Sequence, residues 1–128
     1  MKLLLDTHTF IWWDSEPDKL SEAALALCRA SSNILILSVA STWEIQIKHQ
    51  LGKLTLNMPL VDIIQGQQER NNVQILPISL QHTLSLGTLP LHHKDPFDRI
   101  LIAQAKVEKV ALLSADPVFA KYPIRVRW

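Results

Sequence analysis

Four acidic residues of the chain stand where short apolar runs meet helical stretches. Asp6 ends the run KLLLD, Asp116 follows the run VALLS, and Glu44 and Asp98 lie near the starts of two predicted helices. Carboxylates that share a pocket repel one another, and a hard divalent cation removes that conflict. All-oxygen ligation suits Mg²⁺ or Mn²⁺, which activate water and stabilise the oxygens of a phosphoryl displacement. The pattern therefore predicts a metal site for phosphodiester hydrolysis.

Each acid also has a purely structural interpretation. Asp6 and Asp116 are suited to cap the turns that follow them, and Asp116 precedes a proline, as is common at the start of a helix or turn. Asp98 fits the acid of a capping box, and Glu44 stands four residues before Lys48, as in a surface ion pair. Taken singly, these interpretations stay open beside the metal site.

Helical periodicity favours the metal site for two of the acids. Asp98 shares a predicted helix face with Leu101 and Ile102, and Glu44 falls at the margin of an apolar stripe. A carboxylate on an apolar face is costly unless it is paired or bound to a cation. The stripe next to Glu44 is predicted to comprise Val39, Ala40, Trp43, Ile47 and Leu51.

Short β-type runs alternate with helical stretches along the chain. We predict strands at 2–6, 33–37, 73–78, 110–114 and 124–128, and helices at 7–13, 20–30, 39 to about 52, 60–71, 80–86 and 96–108. The first four strands are apolar on both faces, as central parallel strands are, and the last alternates like an edge strand. This order predicts an α/β fold, a three-layer α/β/α arrangement around a parallel sheet of four to five strands. Ligands of such sheets bind beyond the carboxyl ends of the strands, where we expect all four acids.

The composition fits one globular domain spanning residues 1–128. Hydrophobic residues make up 48% of the chain and charged residues 20%, which excludes a disordered protein. The single Cys28 excludes an internal disulfide and a cysteine-rich zinc site, and a lone thiol suits a cytoplasmic location. The three glycines are scattered, which excludes a P-loop and a dinucleotide-binding turn. The apolar runs are too short for a signal peptide or a membrane span.

The charge balance is compatible with a phosphodiester substrate. The net charge is +1, so the chain without the four acids carries +5. Candidate contacts to the phosphodiester backbone are the cations near the predicted site, each of which is otherwise a solvated surface charge: Lys48, Lys94, Arg99 and Lys121. His92 and His93 lack a third nitrogen or sulfur ligand for zinc, so a loop contact to the nucleic-acid substrate or to Asp95 is favoured instead.

Four segments together resemble the PIN-domain family, and within it the VapC-like ribonuclease toxins of type II toxin–antitoxin systems. The segments are LLLDTH (3–8), SVASTWEI (38–45), HHKDPFDRILIAQA (92–105) and LLSADPVF (112–119). Their order and spacing extend the resemblance over essentially the whole chain. The most specific piece is DPFDRILIAQA.

The resemblance implies a compact α/β/α domain with Mg²⁺- or Mn²⁺-dependent endoribonuclease activity. It also implies inhibition by a small antitoxin protein and, by the habit of the family, a homodimer. By motif, the catalytic and metal-holding acids fall on Asp6, Glu44, Asp98 and Asp116. Thr7 and Ser114 match hydroxyl residues that do not bind the metal themselves but orient the carboxylates or water that do. Asp95 is a helix cap or an outer acid of the site.

Two other functions stay open on the residues alone. One is a non-catalytic RNA- or protein-binding module on the same fold, and the other is a metal-dependent nuclease or phosphoesterase that acts on DNA. The RNA target and the antitoxin depend on loops and surfaces that one sequence does not resolve.

Overall fold

The computed structural model describes the whole chain, Met1–Trp128. Its strands are β1 (Lys2–Leu5), β2 (Ile34–Ser38), β3 (Gln74–Leu76), β4 (Ala111–Leu113) and β5 (Val126–Arg127). Its α-helices are α1 (Thr7–Ser15), α2 (Glu22–Arg29), α3 (Val39–Gln50), α4 (Leu60–Asn71), α5 (Leu80–Ser85) and α6 (Pro96–Glu108). Short 3₁₀ turns cover Pro17–Lys19, Leu86–Thr88 and Pro117–Lys121.

The strands form one parallel sheet in the order β3-β2-β1-β4-β5. β1 lies at the centre, with Leu4 opposite Ile36 of β2 and Leu112 of β4. Successive side chains of a strand point to opposite faces. Accordingly Leu3 and Leu5 pack into one apolar core and Leu4 into the other.

Helices cover both faces of the sheet. The first core receives buried side chains from α1, α2 and α4, among them Phe10, Ala24 and Ile63. The second core is built mainly from α6, which contributes Leu101 and Ile102. The α/β fold with a central parallel five-stranded sheet between helical layers is therefore confirmed.

Short polar side chains fix the points where the chain leaves the sheet. Asp6 follows β1 and accepts from the backbone N–H of Thr9, and Ser38 ends β2 and accepts from that of Ala40. Such caps satisfy N–H groups that have no partner within the helix. The caps direct α1 and α3 back over the sheet from the same edge, which is the edge where the acids lie.

Two sequence-based expectations about the elements are wrong. The strand at 73–78 is shorter than expected and lies at the edge of the sheet, although its run is apolar. The predicted stripe of α3 is buried only in part, because Ala40 is buried but Trp43 is 59% exposed and Leu51 is 64% exposed. The buried face carries Ala40, Ser41, Glu44 and Ile45.

Two further expectations concern the single cysteine, Cys28, and helices that could cross a membrane. Cys28 is buried in the core between α2 and the sheet, and burial raises the pKa of its thiol to about 11. It therefore stays protonated and serves packing. None of the helices combines the length and the hydropathy that crossing a membrane requires.

Candidate active site

A cavity of about 410 Å³ opens at the carboxyl ends of β1 and β4. Its walls include all four acids singled out from the sequence, together with a fifth acid, a lysine and three aromatic rings. The lining residues are Asp6, Thr7, His8, Trp12, Glu44, Lys48, Asp95, Asp98, Ala115, Asp116 and Phe119. Elements far apart in the chain thus bring five carboxyl groups to one concave surface.

Asp6 is buried at the end of the central strand, with both carboxylate oxygens engaged. One oxygen accepts from the backbone N–H of Thr9 at 2.7 Å, and the other accepts from the hydroxyl of Ser114. The same Ser114 hydroxyl accepts from the backbone N–H of Asp116 at 3.1 Å. The carboxylate of Asp6 therefore caps the start of α1 and also lines the cavity.

Glu44 is held by two neighbours of different chemistry. The hydroxyl of Thr7 donates to one oxygen at 2.6 Å, and the ammonium of Lys48 donates to the other at 2.7 Å. The Glu44 side chain is 6% exposed and that of Lys48 is 39% exposed. The predicted i,i+4 pair exists, but one of its members is buried in the cavity wall, so it is not a surface ion pair.

Asp98 stands in the first turn of α6 and is 24% exposed. One of its oxygens lies 3.1 Å from Nε2 of His93, whose Nδ1 lies 2.7 Å from the hydroxyl of Tyr122. The pKa of Asp98 is raised to about 6, chiefly by burial and also by the negative charges of Asp95 and Glu44, although the hydrogen bond and charge of His93 oppose the rise. The expected capping box is half formed, because Asp95 caps the N–H of Asp98 but the Asp98 carboxylate turns to His93.

The cavity offers carboxylate oxygens, which are the ligands that a hard divalent cation prefers, but these side chains do not converge on one point. One oxygen of Asp98 and one of Asp116 have no hydrogen-bond partner in the protein, so both can accept a cation. The pKa of Asp98 is raised first by burial and then by the negative charge of Asp95, and a cation bound beside it would offset both effects. No three acid, histidine or cysteine side chains meet around one point as a finished metal site. Binding would therefore require side-chain rotations.

Neutralising Asp98 should stabilise the metal-free protein. Its pKa is raised from 3.8 to about 6, so the folded state holds the proton more tightly than the unfolded chain. The charged form costs stability above that pKa, and the loss is recovered as the pH falls from about 6 toward 4. We expect Asp98→Asn to raise the free energy of unfolding by about 1–3 kcal/mol near neutral pH, and by much less at the lower end of this pH range.

Urea unfolding in a chelator, at about pH 7.5 and about pH 4.5, measures this difference. The exposed Asp62 of α4 supplies a matched control, since Asp62→Asn removes the same charge outside the cavity. A destabilised Asp98→Asn protein at neutral pH, or an equal gain at both pH values, would contradict the prediction.

The cations predicted to contact RNA occupy different places. Lys48 lines the cavity, whereas Lys94 and Lys121 are exposed and do not. Arg99 donates to the carbonyl of Pro90 at 2.9 Å and to the hydroxyl of Tyr122 at 3.2 Å, which ties it to the loop before α6. Contacts from these residues to RNA stay predictions.

Sequence reasoning missed part of the cavity wall. His93 pairs with Asp98 and not with Asp95, and its expected contact to RNA stays a prediction. Tyr122, which holds His93, carried no signal, because the two residues are 29 positions apart and tyrosine belongs to no motif. Trp12 also lines the cavity, and its i,i+4 spacing from His8 is the signal that could have placed both side chains on one side of α1, next to Asp6.

Comparisons with known proteins agree with the fold and the motifs. Ribonuclease VapC22 of Mycobacterium tuberculosis is 27% identical over 115 residues, which cover 89% of this chain and 86% of that protein. The crystal structure of VapBC2 from Rickettsia felis bound to a DNA fragment from their promoter has a similar chain, with a TM-score of 0.74 and 15% identity over 99% of this chain and 98% of that one. A chain of the DNA-bound VapBC of Salmonella typhimurium matches with a TM-score of 0.67 and 15% identity over 99% and 97% of the two chains.

A family model covers nearly all of the chain. Residues 3–124 match the model of the PIN domain, a span that includes every carboxylate of the cavity. The segments that suggested the resemblance therefore lie within the matched region, from β1 through the 3₁₀ turn after β4. The chain belongs to the PIN domain family.

Proposed function

We propose that the protein is a divalent-metal-dependent endoribonuclease that hydrolyses RNA phosphodiester bonds, and that it is the toxin of a toxin–antitoxin pair. The observation that carries the proposal is the shared cavity, which collects five carboxyl groups around a single lysine. Carboxylates crowded to this degree are expected where a cation is to be bound. The similarity to ribonuclease VapC22 supports RNA as the substrate.

The residues that line the cavity have different roles in the proposed reaction. The acids that would hold Mg²⁺ or Mn²⁺ are Asp6, Asp98, Asp116 and Glu44. When bound, the cation would supply Lewis-acid stabilisation of the phosphate and an activated water. Ser114 and Thr7 keep the carboxylates of Asp6 and Glu44 in place through hydrogen bonds. Asp95 acts as the cap of α6 and sets the direction of Asp98.

The proposal includes the setting in which the protein works. The similar chains belong to VapBC complexes, so we propose a cognate antitoxin as protein partner. A homodimer fits the exposed apolar side chains of α3 and α4, such as Trp43 and Val61. We further propose that residues 1–128 act as one cytoplasmic domain, in agreement with a single, buried, unpaired cysteine.

RNA cleavage by the purified protein tests the function directly. We expect a labelled single-stranded RNA to be cut internally with Mg²⁺ or Mn²⁺ and to stay intact with EDTA, because chelation removes the charge that the acids need. DNA of the same sequence should be cut much more slowly. RNA that is bound equally well with EDTA and never cut would identify a binding module, and DNA cut at the rate of RNA would identify a DNA nuclease.

A further inference from the structure

The cavity has a second wall that the proposed hydrolysis does not use. Trp12 lines it from α1, one turn beyond His8, and the two rings lie with their centroids 6.0 Å apart. The ring of Trp128 lies 6.1 Å from that of Trp12 on the other terminus of the chain. We call the rings of Trp12 and His8 the aromatic wall, because both line the cavity together with the carboxylates, whereas Trp128 lies next to Trp12 outside that lining.

We propose that the aromatic wall binds an unpaired base of the RNA, with Trp12 as the stacking surface. The inference rests on the proposed function and deepens it, because it names the side chains of this chain that would hold a base beside the same site. Bases of single-stranded RNA stack on tryptophan and histidine rings, whereas bases within a duplex keep their faces covered.

The size of the cavity supports a ligand larger than ions. It measures about 410 Å³, whereas one water occupies about 30 Å³ of liquid. Sites for organic ligands begin at about 300 Å³. A cation with its waters leaves most of this volume free, and the free part borders Trp12 and His8 as well as the acids.

The spacing along α1 matches a nucleotide chain. Trp12 follows the cap Asp6 by six residues, which is about 9 Å along a helix axis. Stacked nucleotides advance about 3.4 Å each, so this length spans two to three of them. A phosphate held by the carboxylates would therefore place a base about two to three nucleotides away at the aromatic wall.

A cation accompanies the aromatic wall. The ammonium of Lys19 lies 5.9 Å from the centre of the Trp12 ring and pairs with Glu16 at 3.0 Å. Both side chains are about half exposed, so Lys19 can leave this ion pair at small cost. A stacked base with a phosphate next to it fits a ring and a nearby ammonium better than an apolar peptide does.

The first part of the test compares two substitutions at Trp12. Trp12→Leu keeps an apolar side chain against the core but removes the stacking surface, whereas Trp12→Phe retains a ring. We expect Trp12→Leu to weaken binding of a fluorescein-labelled twelve-nucleotide single-stranded RNA by about 5- to 150-fold and to lower kcat/KM equally. Trp12→Phe should recover most of that loss, and Leu84→Ala, which shortens an exposed apolar side chain of α5 outside the cavity, should resemble the wild type.

The second part removes bases from the RNA instead of the ring from the protein. Single abasic sites are placed in turn within three nucleotides of the cleaved bond. At one of these positions the abasic site should weaken RNA binding by the wild type, and at that position it should not change RNA binding by Trp12→Leu. Equal effects of every abasic site on both proteins would overturn the proposal. So would unchanged RNA binding with altered sedimentation, which would assign Trp12 to a protein interface.

These outcomes separate the inference from the proposed function. If RNA is bound with dependence on Trp12 but never cut, the base-binding site stands and the hydrolytic function fails. If RNA is cut and Trp12→Leu performs like the wild type, the hydrolytic function stands and the base-binding site is wrong. If the wild type does not bind RNA at all, both are overturned.

Discussion

Asp98→Asn is expected to lower RNA cleavage by at least about 100-fold while the protein stays folded. The amide removes a negative charge from the cavity and leaves the site with a poorer cation ligand. Loss of residues that only orient metal ligands already costs about 10- to 100-fold in metal affinity or activity, so loss of a ligand should cost more. Single-turnover cleavage of a labelled RNA with Mg²⁺ in excess measures the effect.

The stability of the variant gives this experiment its internal check. The pKa of Asp98 is raised to about 6, so the same substitution should make the metal-free protein more stable. An inactive protein that resists urea better than the wild type is not inactive through unfolding. Asp62→Asn, which alters an exposed acid of α4, should keep the parental rate. Cleavage by Asp98→Asn at the parental rate would show that Asp98 is not part of the reaction.

The course of the chain was predictable because local signals and burial agree in most elements. The prediction of α4 at 60–71 and of α6 at 96–108 matches their observed bounds. Asp95 and Pro96 mark the start of α6 by capping and by a fixed backbone angle. The runs that became β1 and β4 are apolar on both faces, as buried parallel strands require.

The buried face of α3 was not predictable from periodicity, for a physical reason. Periodicity assigns a helix to the core by its apolar side chains, but α3 packs beside a polar cavity as well as on the sheet. Ser41 and Glu44 can be buried beside this cavity because their side chains form hydrogen bonds with Thr7 of α1. Trp43 is left outside, where it contacts Phe97 of α6 edge to face at 5.1 Å.

The contacts that set the charge of the site depend on chain packing. Tyr122 lies in the segment after the last 3₁₀ turn, and its hydroxyl contacts His93 and accepts from Arg99. This link fixes the loop before α6 and presents His93 to Asp98. A single sequence shows the histidine and the acid, but only the fold brings the tyrosine behind them.

Thr7→Val is expected to raise the Mg²⁺ concentration needed for half-maximal RNA cleavage by about 10- to 100-fold. The Thr7 hydroxyl has one proton, which it donates to the buried Glu44 at 2.6 Å, and the hydroxyl of Ser41 lies 3.0 Å away, placed to donate to Thr7 in turn. Valine has nearly the shape of threonine but cannot donate, so Glu44 keeps only Lys48 as a partner. A carboxylate drawn toward that ammonium is a weaker ligand, and a Mg²⁺ titration of the cleavage rate measures the change.

Two substitutions decide whether the hydroxyl or the packing causes this effect. Thr7→Ser restores a donor and should recover most of the Mg²⁺ affinity, although it lacks the methyl group. Thr9→Val makes the same chemical change two residues along α1, where the hydroxyl is buried without any hydrogen-bond partner. It should therefore leave the Mg²⁺ dependence unchanged. A normal titration for Thr7→Val, or an equal shift for Thr9→Val, would show that Glu44 does not depend on its contact with Thr7.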